Sequence, residues 1–252
     1  MRLQIARPIV LNQWINWSRV RTKATRVQGR ESHYWDSIPP WLDRYARGRS
    51  FVDIGTMWGE QWGAFDAAEH GASPVTALDV TPPTAACLVE QQRRGNPDVR
   101  FVTGDLHDPA TLRELGTHDV VLCSGILYHS PNPLLTLECL RSITREHLIL
   151  GTRTIQEVPG LPHTCVFYPN LHEPERLAFA APIDGTADGL TTPFDPALGY
   201  SNYWWGISRS ALHSMLGAGG WQVVEQVDRP AAPGYHTWVV ARPAADWSPS
   251  QN

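Results

Sequence analysis

Residues 51–82 read FVDIGTMWGEQWGAFDAAEHGASPVTALDVTP, and this stretch decides the fold. Phe51, Val52, Asp53 and Ile54 form a short apolar run that ends at Gly55, as a buried strand does. A helical spacing follows over roughly 58–70, carried by Trp62, Phe65, Ala68 and Glu69, and Gly71 stands where a C-cap glycine belongs. Val75–Val80 reads as a second strand with Asp79 at its end. Strand, glycine turn, helix and a strand closed by a carboxylate is the order of a nucleotide-binding βαβ unit. Gly55 and Gly59 permit a tight turn and close approach of a ligand. The helix start offers N–H groups without intrahelical partners, and Asp79 can accept two hydrogen bonds from a ribose diol.

Downstream the alternation continues. A helix is predicted from Thr84 to about Arg94 after Pro82-Pro83, then a strand at Arg100–Thr103 ending in Gly104-Asp105-Leu106. A short helix over Pro109–Leu115 precedes a strand at Asp119–Cys123, and the loop Ser124–Pro131 leaves that strand's C-terminal end. Leu134, Leu135, Leu137, Leu140 and Ile143 give an amphipathic helix, and His147–Gly151 gives a fifth strand. This spacing predicts an α/β fold with a parallel, doubly wound sheet. From 152 to 205 the alternation stops in a Pro-, Gly- and Asp-rich segment, expected to be an insertion or lid. Helix Ser208–Leu216 and strands Trp221–Val227 and His236–Ala241 resume the pattern, and 242–252 reads as a tail.

Upstream, residues 1–49 show no strand pattern and read as a Trp-rich, basic helical cap, in which Pro39-Pro40 interrupts any helix and Trp41–Arg47 forms a short one. Ten Lys/Arg face three Asp/Glu in residues 1–50, although the whole chain of 252 residues carries a net charge of −4. Such a segment contacts phosphates or an anionic substrate, or covers an acidic core. The four cysteines form no CxxC pair or framework spacing, which fits a reduced, cytoplasmic compartment. No apolar run approaches membrane-spanning length, so no membrane partner is expected. No signal bears on oligomeric state.

Gly55-Thr56-Met57-Trp58-Gly59 lacks the central glycine of a dinucleotide fingerprint, and no Gly-Lys-Ser/Thr follows a glycine loop. Four motifs stand in order instead: Val52-Asp53-Ile54-Gly55 with Gly59, Asp79 ending strand two, Gly104-Asp105-Leu106, and Asp119-Val120-Val121-Leu122 followed by Gly125-Ile126-Leu127-Tyr128-His129. With these motifs the chain resembles the class I S-adenosylmethionine-dependent methyltransferases over about residues 50–241. Asp53-Ile54-Gly55-Thr56, the Gly125–Pro133 loop, Phe167-Tyr168-Pro169-Asn170 and Asn202-Tyr203-Trp204-Trp205 are similar to a branch that includes the tRNA wobble-uridine carboxymethyltransferase, some of whose members act on small molecules. The resemblance implies a Rossmann-like methyltransferase sheet and S-adenosyl-L-methionine as cofactor. It implies that Asp53, Gly55, Thr56 and Gly59 cradle the methionine part, that Asp79 and Val80 meet the ribose, that Asp105 and Leu106 meet the adenine, and that Ser124 and Tyr128 line the pocket. The lysine- and arginine-rich substrate motifs of the tRNA enzyme are not recognisable upstream of Trp41, so the resemblance speaks to fold and cofactor before substrate.

His129 leaves strand four where the transferred methyl should lie, as a general base or as pocket lining, and His33 is an alternative base. No His/Cys/Asp/Glu spacing matches a standard metal site. Eleven Trp is heavy use of large rigid rings, and Trp35, Trp58, Tyr203 and Trp204, with His163, are the candidate substrate contacts. The expectation is methyl transfer to a small-molecule acceptor, on oxygen, in specialised biosynthesis. RNA modification is the rival partner class, and a cofactor-binding protein without activity is the rival outside catalysis.

Overall fold

The structure, a computed structural model, describes residues 38–56, 62–172, 194–195, 197, 202–231 and 234–247. Its seven-stranded sheet is built from β1 (Phe51–Ile54), β2 (Val75–Asp79), β3 (Val99–Thr103), β4 (His118–Ser124), β5 (Thr144–Thr154), β8 (Trp221–Ala231) and β9 (Gly234–Pro243). The order across the sheet is β3-β2-β1-β4-β5-β9-β8. The first five strands run parallel, and β9 enters antiparallel between β5 and β8. All residues of β1 and β2 are buried, which is why these strands read as continuous apolar runs rather than alternating ones.

Helices cover both faces: α2 (Gly63–Glu69), α3 (Ala85–Arg93), α4 (Pro109–Leu115), α5 (Pro133–Ile143) and α6 (Arg209–Ala218). Thr84, Asp108, Asn132 and Ser208 cap α3 to α6 by accepting N–H bonds from Cys87, Ala110, Leu135 and Ala211. The inward stripe of α5 is Pro133, Thr136, Leu137, Leu140 and Ile143, which turns Leu134 and Leu135 outward despite their apolar character. One core packs α5 and α6 against Leu148, Leu150 and Val239; the other packs Trp41, Leu42 and Phe65 against Ile149, Trp238 and Val240.

The N-terminal edge is tied by Asp119, whose carboxylate accepts from the Ser50 backbone and hydroxyl and from Arg145. That ion pair holds the Asp119 carboxyl down near 2. Pro39 and Pro40 do not break the segment expected to be interrupted there. They lie inside α1 (Ile38–Trp41), where first-turn N–H groups are not needed, and a π-helical turn, Leu42–Ala46, continues it.

Two strands extend further than their apolar runs. β5 starts at Thr144 and continues through Thr152-Arg153-Thr154, and β8 reaches Ala231. Within the stretch where alternation ends, β6 (Cys165–Phe167) and β7 (Trp205–Ile207) pair antiparallel as a separate two-stranded sheet. β9 enters the expected tail as far as Pro243, and beyond it Trp247 donates its indole N–H to the Ala218 carbonyl.

Candidate active site

The strand order reverses between β1 and β4, and in open α/β sheets the crevice at the carboxyl ends on either side of that reversal receives the ligand. Ile54 pairs with Leu78 on one side and Cys123 on the other, so Gly55, Asp79 and Ser124 leave the sheet on one rung. The Gly55 N–H donates to the Leu78 carbonyl at 2.7 Å, and Gly104 donates to the Asp79 carbonyl at 2.9 Å. The ends of β1, β2 and β3 are thereby laced into a single rim.

Asp53 lies under this rim and organises it. Its Oδ2 accepts the Ala64 N–H at 2.8 Å and its carboxylate takes a side-chain bond from Thr56, tying the turn after β1 to the start of α2. Burial pushes the Asp53 carboxyl up to about 7, against the lowering effect of those two bonds. Gly63 makes this approach possible: a Cβ there would lie 2.4 Å from Leu122 Cδ2 and 2.8 Å from Asp53 Oδ2. Gly55 has φ +80°, a backbone conformation strained for any residue with a Cβ, and a Cβ on it would also displace Ile126 Cδ1, 2.3 Å away. Trp62, the residue before α2, packs its ring on Phe65 and holds its indole N–H buried with no acceptor among the described residues.

Asp79 is buried, with Oδ1 accepting from the Thr81 backbone and hydroxyl, whereas the adjacent Val80 is half exposed at the rim. At the end of β3, Asp105 accepts the His107 N–H at 2.8 Å and Leu106 is buried. The nearby Asp108 is committed to capping α4, which leaves Asp105 as the rim carboxylate. His107 reaches on to Thr136 Oγ1 at 2.8 Å, and Thr136 donates to Ser130 Oγ at 2.7 Å. This chain links the β3 end to the loop after β4.

That loop carries a one-turn 3-10 helix, Leu127–His129. His129 donates from Nδ1 to the Asn202 carbonyl at 2.9 Å, which fixes the neutral tautomer and leaves the Nε2 lone pair as acceptor. Burial, aided by the Arg153 charge, pushes the imidazole down to about 4. The Tyr203 ring stacks on Tyr128 at 4.7 Å and 17°, with His129 4.5 Å from Tyr203. The Trp204 N–H donates to the Tyr128 carbonyl at 3.0 Å, and Phe194 meets the Trp204 ring edge-on at 5.0 Å. A histidine with one committed nitrogen thus stands among aromatic faces beside the crevice.

Residues 52–147, the stretch that supplies this rim and loop, match the family model described as a methyltransferase domain. Over that stretch the chain is similar to a methyltransferase domain. S-adenosyl-L-methionine is the cofactor that such a domain takes. No curated protein sequence matches the chain. Among solved structures, the chain is similar to the N-terminal domain of EvdMO1 with SAH bound, at 15% identity and TM-score 0.56 over 84% of this chain and 81% of that one. It is also similar to Burkholderia thailandensis 1,6-didemethyltoxoflavin-N1-methyltransferase, at 16% identity and TM-score 0.52 over 97% and 93%. Magnesium protoporphyrin IX methyltransferase from Synechocystis PCC 6803 follows at 16% identity and TM-score 0.51 over 96% and 90%. At these identities the likeness establishes the fold, a Rossmann-like methyltransferase sheet.

In this sheet Asp53, Gly55, Thr56, Asp79, Val80, Asp105, Leu106, Ser124 and Tyr128 all fall at the carboxyl ends of the strands or in the turns that leave them. Gly59, Trp58, Trp35 and His33 lie outside the described residues. Tyr203 and Trp204 join the His129 cluster, whereas His163 is engaged by α6: its Nδ1 meets the Ser210 carbonyl at 3.1 Å and Ser214 Oγ at 2.8 Å. Three participants have no counterpart among the sequence-predicted residues. Asn202 acts through a backbone carbonyl, Gly63 through close packing, and His107 through a bridge between two loops. Asn202 stands in the quoted Asn-Tyr-Trp-Trp motif, which is the one signal that pointed at it. Among the described residues no group of three or more His, Cys, Asp or Glu could hold a metal ion, and no helix is long and apolar enough to cross a membrane.

Proposed function

We propose that this protein transfers the methyl group of S-adenosyl-L-methionine to a hydroxyl oxygen of a small-molecule acceptor in specialised biosynthesis. The crevice fits that cofactor: a glycine turn at Gly55 and carboxylates at the ends of β2 and β3. Asp79 accepts from the ribose hydroxyls, Asp105 and Leu106 border the adenine, and the turn after β1 admits the methionine part. When bound, the cofactor supplies an electrophilic methyl carbon on a sulfonium.

The observation that carries the reading is the fixed tautomer of His129. Its Nε2 is unprotonated throughout the neutral range, so it can accept the hydroxyl proton. A base this weak suffices because the acceptor hydroxyl becomes strongly acidic only as its oxygen gains the methyl. Tyr128, Tyr203 and Trp204 orient the acceptor by stacking, and alignment supplies most of the acceleration in an in-line displacement. The small-molecule substrates of the toxoflavin and magnesium protoporphyrin IX methyltransferases, which share this fold, accord with such an acceptor.

Calorimetry with S-adenosylhomocysteine tests the cofactor site. Asp79→Ala should weaken binding about tenfold or more, and unchanged affinity would refute the assignment. His129→Gln should retain that affinity while lowering turnover of a hydroxylated acceptor by about a hundredfold.

A further inference from the structure

The turn that carries His129 is held on two sides. On one side the 202–205 segment ties it down. The Asn202 carbonyl accepts the His129 Nδ1–H at 2.9 Å, the Trp204 N–H donates to the Tyr128 carbonyl at 3.0 Å, and the Trp205 indole donates to the Pro131 carbonyl at 3.1 Å. None of these three bonds involves the ends of β1, β2 or β3, which form the crevice rim. They orient the imidazole against its own cover and leave its place relative to that rim unset.

On the other side the turn rests on α5 through Ser130 and Thr136, both buried, at 1% and 0% exposure. Ser130 follows His129 directly, and its N–H closes the 3-10 turn on the Leu127 carbonyl at 3.3 Å. Its Oγ accepts from Thr136 Oγ1 at 2.7 Å and from the Asn132 N–H at 3.1 Å. Thr136 has one hydroxyl proton, and both Ser130 Oγ and the Asn132 carbonyl, 3.1 Å away, stand within its reach. Toward His107 it therefore presents a lone pair, which accepts the Nε2–H at 2.8 Å. The His107 backbone N–H in turn donates to Asp105 Oδ1 at 2.8 Å. One buried hydroxyl thus spans the turn after β3 and the turn after β4.

A helical threonine ordinarily returns its hydroxyl to the carbonyl four residues back, here Asn132. The contacts with Ser130 and His107 are additional, and they join elements that the helix itself does not. The rest of the buried stripe of α5 is Pro133, Leu137, Cys139, Leu140 and Ile143, so an apolar residue at 136 would pack there without a hydroxyl to desolvate. We infer that Thr136 is a positioning residue, whose hydroxyl holds the His129 turn at a fixed distance from the Asp105 turn and so aligns the proton acceptor with the cofactor. This rests on the methyl-transfer reading and adds the residue that keeps its two halves in register. Thr136 acts through Ser130 and His107 rather than on a reacting atom. In an in-line displacement a misplacement of about 1 Å can cost about a hundredfold in rate, which is the scale on which such a brace matters.

NMR of the full chain labelled with 15N-histidine reads the His129 Nδ1–H, identified by its absence in His129→Gln. In the wild type this proton should give a resolved, slowly exchanging resonance. Thr136→Val keeps the side-chain shape without the hydroxyl; it should shift or broaden that resonance and weaken S-adenosylhomocysteine binding about three- to tenfold, and Thr136→Ser should restore both. Ser130→Ala breaks the same path from its other end and should reproduce the Thr136→Val result, which decides the matter where that variant does not fold. Asn132→Ala removes the cap on the Leu135 N–H but leaves the Ser130–Thr136–His107 path intact, so it controls for weakening of α5 alone. Thr136→Val and Asn132→Ala should each lower Tm by about 2–4 °C, and only the first should move the His129 signal. A wild-type resonance lost to exchange, a signal unmoved by Thr136→Val or Ser130→Ala, or one moved equally by Asn132→Ala overturns the inference. Failure of the wild type to bind S-adenosylhomocysteine would instead strike the methyl-transfer reading, and the His129 comparison, which needs no ligand, still decides the positioning role.

Discussion

The Nδ1 nitrogen of His129 lies 2.9 Å from the carbonyl oxygen of Asn202, a residue 73 positions further along the chain. This bond joins the loop after β4 to the segment that returns after β5. Asn202 is itself buried and clamped, its side-chain amide donating to the Asp195 carbonyl at 2.6 Å while its Oδ1 accepts the Asp195 N–H at 3.1 Å. The imidazole therefore has a fixed direction before any acceptor arrives, which is the preorganisation that proton transfer needs.

The same burial that orients His129 gives it a signature in stability. Its folded value is about 4 and its unfolded value about 6.5, so between these limits the unfolded chain binds a proton that the folded chain refuses. Stability contributed by the neutral ring is present above pH 6.5 and is lost as pH falls towards 4. His236, also held near 4, acts with the same sign. His129→Gln should reduce the loss between pH 6.5 and 4.5 by about 1–3 kcal/mol, read from urea unfolding at the two pH values. An acid limb identical to that of the wild type would show that the ring is hydrated and titrates normally.

Asp53 works in the opposite direction. Burial raises its folded value to about 7 from an ordinary 3.8, so the folded chain keeps a proton that the unfolded chain has released. This group therefore subtracts stability progressively as pH rises from 4 to 7, and the loss is complete above 7. Asp53→Asn keeps an acceptor for the Ala64 N–H and removes the charge. Relative to the wild type it should gain about 1–3 kcal/mol at pH 8 and little at pH 4, where both residues are neutral. Equal differences at both pH values would contradict the buried carboxyl.

Two glycines on helices should respond with opposite signs. In α6, Gly217 has open space where a Cβ would go, so Gly217→Ala should stabilise by about 0.5–1 kcal/mol through helix propensity. In α2, Gly63→Ala gains the same propensity but drives a methyl into Leu122 and the Asp53 carboxylate. It should cost about 1–3 kcal/mol and weaken S-adenosylhomocysteine binding, because the Asp53 bond to Ala64 must shift. Thermal unfolding of the two variants side by side checks the pair.

How far the sequence revealed this arrangement depends on what each residue contributes. β1, β2 and β4 were legible because parallel strands buried on both faces leave continuous apolar runs, and Asp79 is the residue that closes the run of β2. The last three residues of β5 were not legible, since its apolar run stops at Gly151 while the strand continues through Thr152, Arg153 and Thr154 by pairing with β9. Asn202 contributes a backbone carbonyl, which every residue carries, so the Asn-Tyr-Trp-Trp motif marked its place in the chain but not its part in holding His129. Gly63 matters because of Leu122, a contact that local periodicity does not contain. Pro39-Pro40 misled for a local reason, since proline is excluded from a helix interior but tolerated in its first turn.

Among the described residues, the segment 38–46 is tied to the far edge of the sheet through one carboxylate. Glu225 in β8 accepts from the Trp41 indole at 3.0 Å and from Arg44 and the Tyr45 hydroxyl. Those bonds hold its carboxyl below the ordinary glutamate range, led by the one from Tyr45. Trp41 also meets the buried Trp238 ring edge-on at 6.4 Å, so the same residue enters the core. Glu225→Ala leaves the Trp41 and Tyr45 donors without that acceptor and should cost about 1–3 kcal/mol. Glu225→Gln, which keeps an acceptor oxygen but loses the charge opposite Arg44, should cost less, because exposed ion pairs contribute little. Urea unfolding of both variants separates the hydrogen bonds from the charge. If the two substitutions cost the same, the ion pair with Arg44 rather than the aromatic donors anchors the segment.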